Sequence, residues 1–492
     1  MTSASSMSGR GMGGVLFNET TFLYWFLPIV LVLYYEVPVS ARNFVLAVAS
    51  LVFYSWGEFY AVGAMLLSIL FNYSLGLAVE RDRGQARAAC WLAIAVLGNL
   101  LFLGFFKYTN FTVANLNILI AHFGGTSIEI PKIPLPIGVS FFTFQAMSYV
   151  IDVYRGEAPA QRSLLNLTLY IALFPQLIAG PIVRYLDIAL QLNERKESWV
   201  QFASGVQRFV LGLGKKMMLA NAVALPADQI FALPPGELTT STAWFGVICY
   251  TLHIYLDFSA YSDMAIGLGR MFGFEFLENF DYPYIACSVT AFWRRWHKSL
   301  SSWFRDYVYI PLGGNRISRP RTYFNLLTVF FLCGLWHGAN WTFVLWGLYH
   351  GFFLIMERIV MERGTLRIPR WTQHVYTLLV VMMGWVMFKA DTVAGAIGIY
   401  RALLGFAVNE SNTSPLALFA TRHACAGMIF GALACMPLVP WASELMGRWE
   451  RERPTLLPLL DTLRGVSLLL LLFGCALLVA ADTYNPFIYF RF

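Results

Sequence analysis

Long runs without any Asp, Glu, Lys or Arg divide the chain, and they constrain its fold more than any other feature. The runs cover residues 20–35, 43–57, 59–79, 88–106, 108–128, 133–151, 164–183, 238–256, 322–356, 371–388, 423–443 and 465–481. A membrane-spanning helix needs about 17–25 mostly apolar residues, so many of these runs are long enough to cross a bilayer. The pattern predicts an all-α polytopic membrane protein with roughly ten to twelve membrane-embedded segments.

The composition agrees with a lipid environment. The chain is 58% hydrophobic and 13% charged, whereas soluble domains have about 45–50% apolar and about 25% charged residues. The net charge of +7 could indicate a nucleic-acid partner. The basic residues, however, lie in short loops between apolar runs, where they are typical of orientation signals. We therefore expect the lipid bilayer as a partner, and no nucleic acid.

The sequence favours one membrane domain over residues 16–492, preceded by a short flexible lead over residues 1–15. No internal repeat and no long polar stretch separates a further domain. The seven cysteines are scattered, without a CxxC motif or a paired histidine spacing, so neither a disulfide framework nor a metal site is indicated. Function is therefore expected within the helical bundle.

The run 322–356 has 35 residues, and one helix of that length would measure roughly 52 Å, more than a hydrocarbon core of about 30 Å. Basic residues flank both ends, which places both ends on one side of the membrane. We therefore predict that the chain enters and returns, with Gly334 and Gly338 flanking the reversal. His337 would then lie at membrane depth, where irregular backbone can line a cavity.

Two histidines stand out as candidate catalytic residues. His297 and His337 are 40 residues apart, and each directly follows a tryptophan, Trp296 and Trp336. Imidazole is the side chain best suited to move protons near neutral pH. Glycines around His337 permit close backbone approach and Asn340 offers an amide donor, so we assign the chemistry to His337.

For other polar residues, a structural role explains the sequence at least as well as a role in catalysis. Asp257 and Asp263 are six residues apart, which separates them by roughly 120° on a helix and favours bracing of polar partners over an acid pair. Gln176 could line a polar route or anchor an interface. The segment 293–307 alternates Trp with Arg and Lys, as does an amphipathic helix at the headgroups or a wet funnel. The histidines expected to be packing residues, hydrogen-bonded to backbone, are His253, His350 and His423.

Several motifs resemble those of the membrane-bound O-acyltransferase family, in particular its bacterial branch that O-acetylates alginate. They occupy residues 134–145, 174–181, 255–263, 292–297 with 309–314, 334–341 and the ending 485–492. By this resemblance, His337 matches the family's essential histidine and His297 its second polar residue. The resemblance also implies a ring of helices around a central funnel.

The activity implied is that of a multi-pass enzyme of the bacterial inner membrane. It would move an acetyl group from a cytosolic thioester, acetyl-CoA, to an extracellular polysaccharide of the alginate type, with no bound cofactor and with periplasmic acetyltransferase proteins as partners. Alternatives on the same fold are O-acetylation of cellulose or peptidoglycan and D-alanyl transfer. A polysaccharide transporter is the alternative from another class, although many such folds carry a repeat that is not found here.

A direct transfer is compatible with the residues. His337 would take the proton of the acceptor hydroxyl while the acyl carbon is held nearby. His297, Asn340 or a backbone amide could stabilise the oxyanion, which is worth roughly 2.7–4 kcal/mol for one well-placed donor. Trp336, Asp257 and Gln176 are expected as supporting residues of the cavity. No Ser or Cys lies in a nucleophile-elbow motif, which favours direct transfer over an acyl-enzyme.

Overall fold

The computed structural model describes residues 16–57, 59–178, 180–363, 368–406, 414–453, 455, 457–481 and 484. Throughout these ranges the regular elements are helices, apart from an isolated bridge between Leu238 and Ser414. The prediction of an all-α fold is confirmed. The predicted lead over 1–15 and the motif at 485–492 lie outside the described residues.

The chain forms two compact units, Met1–Ala203 with Leu268–Phe276, and Ser204–Gly267 with Leu277–Phe492. The first holds α1 Leu27–Glu36, α2 Val39–Gly57, α3 Phe59–Arg81, α4 Ala86–His122, α5 Val139–Arg155, α6 Leu164–Ala172, α7 Phe174–Leu177, α8 Tyr185–Ile188 and α9 Gln191–Glu194. The next helices are α10 Trp199–Gly214, α11 Asn221–Phe231, α12 Thr240–Met271, α13 Val289–Arg295, α14 Lys298–Phe304, α15 Arg319–His337, α16 Trp341–Arg363, α17 Arg370–Lys389, α18 Val393–Leu403, α19 Arg422–Ala434, α20 Leu438–Glu452 and α21 Leu457–Ala480. The boundary between the units falls within α10 and α12.

In the first unit, α4 joins two of the predicted segments into one helix of 37 residues. Lys107, which separates the two charge-free runs, is buried on this helix and donates a hydrogen bond to Ser140 Oγ of α5 at 3.0 Å. Asn72 of α3 and Asn99 of α4 exchange side-chain hydrogen bonds of 3.1 and 2.7 Å. These polar contacts inside apolar helices fix the packing of α3, α4 and α5, because an unpaired amide or ammonium group is costly there.

In the second unit, the run 322–356 forms a hairpin of α15 and α16. The two backbones touch at glycines: a Cβ on Gly334 would lie 2.3 Å from the carbonyl oxygen of Phe343 and 3.4 Å from Cα of Gly347. The three residues between His337 and Trp341 make the turn. The predicted chain reversal is therefore present, and it falls directly after His337.

Within the described part of the chain, six helices are long and apolar enough to cross a membrane: Val39–Trp56, Phe59–Arg81, Ala86–His122, Trp199–Phe231, Trp341–Val360 and Leu457–Ala480. A seventh span is possible if α19 and α20, bent by 60° at their break, count as one. The number of charge-free runs is larger because two of them merge into α4 and others form shorter helices such as α5 and α6. The chain is a multi-pass membrane protein.

Candidate active site

His337 is the last residue of α15, and aromatic rings surround its imidazole. Its side chain is 4% exposed. The neighbouring ring of Trp336, Trp346 of α16 and Phe388 of α17 lie edge-to-face with it, at centroid distances of 4.9, 5.0 and 5.1 Å. Three consecutive long helices of the second unit thus hold this ring away from bulk water. Electrostatic interactions of the imidazole are stronger in this protected environment than in water.

His297 lies between α13 and α14 and has a left-handed backbone, with φ of 43°. It is 1% exposed, and its ring packs edge-to-face on Phe258 at 4.8 Å. Positive φ is uncommon for a residue with a Cβ, so its surroundings must hold this conformation in place. The backbone N–H of Lys298, the next residue, donates to the carbonyl of Asn279 at 2.9 Å.

The side chain of Asn279 also fixes which nitrogen of His297 carries the proton. Oδ1 of Asn279 accepts from the backbone N–H of Ser299 at 3.3 Å and from its hydroxyl at 2.9 Å. Because a backbone N–H can only donate, the Asn279 atom here is an oxygen, and Nδ1 of His297, at 3.1 Å, must donate to it. Nε2 of the neutral ring is then a proton acceptor, and it is buried without a hydrogen-bond partner among the described residues.

Glu357 of α16 anchors the start of α13, the helix that leads to His297. Its two carboxylate oxygens accept from the backbone N–H groups of Val289 at 2.5 Å and Thr290 at 2.9 Å. These N–H groups belong to the first turn of α13, which has no partners for them within the helix. A carboxylate at a helix N-terminus is favourable, so this contact fixes α13 to the helix that follows His337.

Trp336 connects the two histidines. Its ring lies 6.0 Å from the His297 ring and 4.9 Å from the His337 ring, centroid to centroid. The structure therefore brings together His297, Trp336 and His337, three residues that the sequence selected from motifs 40 residues apart.

Asn340 has a structural position in the turn after His337. Its Nδ2 donates to the carbonyl of Asp391 at 2.8 Å, and its Oδ1 accepts from the backbone N–H of Thr342 at 3.2 Å. Its carbonyl accepts from the first turn of α16. One of the two Nδ2 hydrogens and the Oδ1 of Asn340 are thus committed to the turn, so the observed contacts favour a role in fixing it.

Asp257 of α12 is fully buried and forms an ion pair of 2.6 Å with Lys216, which is 2% exposed. Asp263 pairs instead with Lys215 at 2.5 Å and with Arg208 at 2.7 Å. The two carboxylates therefore brace different cations, as the sequence spacing predicted. Gln176 belongs to the first unit, where it is buried and its Nε2 donates to the carbonyl of Tyr170 at 2.5 Å.

The prediction that His253 and His350 are hydrogen-bonded to nearby backbone is wrong. Both are buried, and among the described residues neither ring nitrogen of either histidine has a hydrogen-bond partner. His350 instead packs edge-to-face against Trp293 and Trp346, each at 5.1 Å. Helical carbonyls are already occupied, so the His350 imidazole packs against aromatic rings instead. His423 is exposed on α19.

Sequence reasoning missed Asn279, Trp346 and Phe388, because no short motif links them to either histidine. Asn279 precedes His297 by 18 residues in a segment without regular structure. Trp346 and Phe388 look like ordinary apolar helix residues. Only the packing of α15, α16 and α17 shows that they surround an imidazole.

The described helices form a multi-pass membrane fold that buries two histidines among aromatic rings, and buried ionisable groups in such a fold mark a candidate functional site. The sequence profile of the membrane-bound O-acyltransferase family matches residues 155–397, which contain both histidines. The chain belongs to this family and is an O-acyltransferase, which rules against the transporter alternative.

Three relatives illustrate the range of similarity. The chain is 41% identical to a probable alginate O-acetylase of Azotobacter vinelandii, over 97% of this chain and 100% of the relative. It is 33% identical to a peptidoglycan O-acetyltransferase of Helicobacter pylori, over 80% of each chain. It is 26% identical to a teichoic acid D-alanyltransferase of Bacillus subtilis, over 51% of this chain and 68% of the relative.

Proposed function

We propose that this chain transfers acetyl groups from acetyl-CoA, supplied by the cytosol, through the bacterial inner membrane for O-acetylation of an extracellular polysaccharide. Alginate is the favoured polymer, because the chain matches probable alginate O-acetylases at 40–41% identity over 97% of its length. The observation that supports this reaction is the buried pair His297 and His337, whose rings both pack against Trp336. Proton transfer at a positioned imidazole contributes typically 10²–10⁴-fold to a rate.

His337 is the general base of this proposal. As the acceptor oxygen attacks the thioester carbonyl carbon, the imidazole takes the proton of the hydroxyl. The tetrahedral intermediate then collapses, the C–S bond breaks, and the imidazolium returns the proton to the departing thiolate. The products are an acetyl ester and free CoA, and the enzyme ends in the state in which it began. The aromatic walls around His337 keep out water, which would otherwise hydrolyse the thioester.

His297 has the supporting role. With Nδ1 fixed on Asn279, Nε2 is the atom that can face a reacting group. In the neutral ring Nε2 accepts a proton, and in the protonated ring it donates a hydrogen bond to developing negative charge. The proposal needs no bound cofactor, and it includes periplasmic acetyltransferase proteins as partners that pass the acetyl group to the polymer.

Peptidoglycan is a second candidate acceptor, supported by the relative from Helicobacter pylori at 33% identity over 80% of this chain. Cellulose O-acetylation and D-alanyl transfer are the remaining alternatives. The D-alanyltransferase similarity is weaker and covers only 51% of this chain.

The purified full-length protein in proteoliposomes, mixed with radiolabelled acetyl-CoA and either alginate or peptidoglycan fragments, tests the proposal. Periplasmic extract of the source cells supplies the partners. We expect His337→Ala to lower label transfer by at least about 10²-fold and His297→Ala to lower it in part. His423→Ala, at an exposed histidine, serves as the matched control and should transfer label like the unaltered chain. If His337→Ala transferred as much label as the unaltered chain, His337 would not be the base. If label appeared on peptidoglycan alone, peptidoglycan and not alginate would be the acceptor.

A further inference from the structure

Helix α4 is longer than the bilayer that it crosses. With 37 residues, it measures roughly 55 Å. Even at a tilt of about 40°, the upper end of the usual range, it would extend over about 42 Å of thickness, against about 30 Å of hydrocarbon core. One end of α4 therefore projects from the membrane.

The packing of α4 against α3 shows which end projects. Asn72 of α3 and Asn99 of α4 exchange hydrogen bonds, so these two residues lie at the same depth. α3 begins at Phe59, and the same depth on the antiparallel α4 is reached at roughly residue 112. Trp56 and Phe59 at that end of α3 are exposed aromatic residues, as in the belt at a membrane interface. Residues 113–122 therefore project beyond the hydrocarbon core.

The chain that follows α4 returns along one side of its projecting end. Asn117 exchanges hydrogen bonds of 3.0 and 2.7 Å with the main chain of Ile128, and Asn110 exchanges bonds of 2.7 and 3.1 Å with that of Ile133. Asn110 and Asn117 are two turns apart and share one face of the helix. The returning segment therefore covers this face, and the opposite face, with Leu119 at its centre, remains exposed.

An apolar stripe follows the exposed face along α4. Its members lie within about 60° of Leu101 around the helix axis. They are Ile94, Leu97, Leu101, Phe105, Leu116, Leu119 and Phe123, the residue directly after the helix, and all are exposed. Lys107 is the only Asp, Glu, Lys or Arg between residues 88 and 123, and it is buried on another face. The stripe is thus uncharged from the bilayer into the water beyond it.

We infer that this stripe is the interface between two copies of the chain, with α4 packed against its equivalent. Lipid can cover the half of the stripe inside the bilayer, but a contiguous apolar face in water marks a protein contact. An occupant of the whole stripe must extend from the bilayer into water, and α4 of a second copy has this length. The inference does not depend on acyl transfer.

The symmetry of such a pair suits an uncharged stripe. Every copy inserts in the same orientation, because Arg81, Arg83 and Arg87 near the start of α4 favour the cytoplasm. Two copies are then related by a two-fold axis along the membrane normal, with the helices parallel and each residue of the stripe near its own equivalent. Charged residues on the stripe would face like charges, and none is present.

The extent of the stripe is also sufficient. A face roughly 55 Å long and about 10 Å wide corresponds to about 550 Å² on each copy, or about 1,100 Å² in total. Specific interfaces bury at least about 1,000 Å² in total. The contact therefore reaches the size that a specific pair of copies needs.

Disulfide cross-linking of the full-length chain in native membranes tests the inference. The background carries Cys90→Ser, Cys287→Ser and Cys425→Ser, which removes the cysteines that are not buried. Single cysteines are then introduced as Leu101→Cys and Leu119→Cys on the stripe. The matched controls are Leu100→Cys and Ile118→Cys, which are exposed on the same helix but about 100° away around its axis.

We expect at least about tenfold more disulfide-linked dimer from the stripe positions than from the controls, because a disulfide needs Cα atoms within about 7 Å. Equal yields from the two faces, or no dimer from any position, would overturn the inference. No acetyl-CoA is present, so the result is independent of whether the chain transfers acetyl groups.

A second measurement requires no cysteine chemistry. Native mass spectrometry compares the unaltered chain with Leu119→Glu/Phe123→Glu, which places like charges on both sides of the two-fold axis. We expect the unaltered chain to be dimeric and this variant to be monomeric, while Ile118→Glu stays dimeric. A monomeric unaltered chain, or a double variant that remains as dimeric as the unaltered chain, would contradict the proposed interface. A second protein retained in place of the second copy would identify another occupant of the stripe and would also contradict it.

Discussion

Asn279 holds His297 from a segment 18 residues earlier in the chain. Its Oδ1 lies 3.1 Å from Nδ1 of His297, and its carbonyl accepts from the N–H of Lys298 at 2.9 Å. One buried asparagine therefore sets both the tautomer of the imidazole, through its side chain, and the left-handed turn that carries it, through its backbone carbonyl. The orientation of a catalytic histidine depends on such a partner for the nitrogen that does not react.

Replacing Asn279 by Leu should lower kcat by at least about tenfold. The loss should not exceed the roughly 10²–10⁴-fold that a positioned proton transfer contributes in all. The substitution removes the acceptor for Nδ1 and frees the ring to take the wrong tautomer. If Asn279 acts through His297, the double variant Asn279→Leu/His297→Ala should be no slower than His297→Ala alone. Additive losses in label transfer would show instead that Asn279 acts independently of His297.

Gly334→Ala should lower activity by about a hundredfold, since displacing a catalytic group by 1 Å can cost that much. The added Cβ would lie 2.3 Å from the carbonyl oxygen of Phe343, a backbone atom that cannot move without separating α15 from α16. His337 is three residues further along α15 and would move with it. Steady-state label transfer measures the effect.

Gly351→Ala is the matched control for that substitution, on the same helix pair. There the nearest atom to the added Cβ is the side-chain Cδ1 of Leu327 at 3.1 Å, which can adjust its rotamer. We expect Gly351→Ala to keep most of the activity. Similar losses in the two variants would mean that close contact at Gly334 is not what places His337.

Much of the helical fold and both histidines could be predicted from the sequence. Burying a charged side chain in lipid is costly, so runs without charged residues indicate membrane helices regardless of how those helices pack together. The hairpin at His337 followed from the 35 uncharged residues, which exceed one span, and from the basic residues at both ends of the run. The Trp-His pairs at 296–297 and 336–337 were similarly visible as polar residues in apolar surroundings.

What the sequence could not show depends on pairing between distant residues. Lys107 interrupts a charge-free run, yet α4 continues through it because Ser140 of another helix meets the ammonium group. Asn340 looked like a donor to the reaction, and only its contact with Asp391 shows that the amide is engaged in the turn. Asn279 gave no local signal, since its importance comes from the fold that brings it to His297.

Asp257→Ala should destabilise the protein by about 3–5 kcal/mol, because it leaves the ammonium of Lys216 buried without its carboxylate. The two groups are 0% and 2% exposed and 2.6 Å apart. The double variant Asp257→Leu/Lys216→Met removes both charges and should recover most of the loss. Thermal unfolding in detergent measures all three chains. A double variant less stable than Asp257→Ala would mean that the ion pair does more than balance charge.

Glu197 should make the stability of the first unit depend on pH. Burial opposes its ionisation, but the hydroxyl of Tyr34 at 2.5 Å, together with the guanidinium groups of Arg42 at 3.0 Å and Arg195 at 3.8 Å, holds its pKa below the ordinary value of 4.5. A lowered pKa in the folded state contributes stability above the unfolded pKa, and that contribution is lost as the pH falls from about 4.5 through the folded value. Glu197→Gln should therefore lower the free energy of unfolding by about 1.5–3 kcal/mol at pH 7, as expected for hydrogen bonds to a charged group, and by little at pH 3. Glu129→Gln, at an exposed carboxylate, is the control and should change unfolding at neither pH. If the difference in unfolding free energy between Glu197→Gln and the unaltered chain were as large at pH 3 as at pH 7, the ionised carboxylate would not be its source.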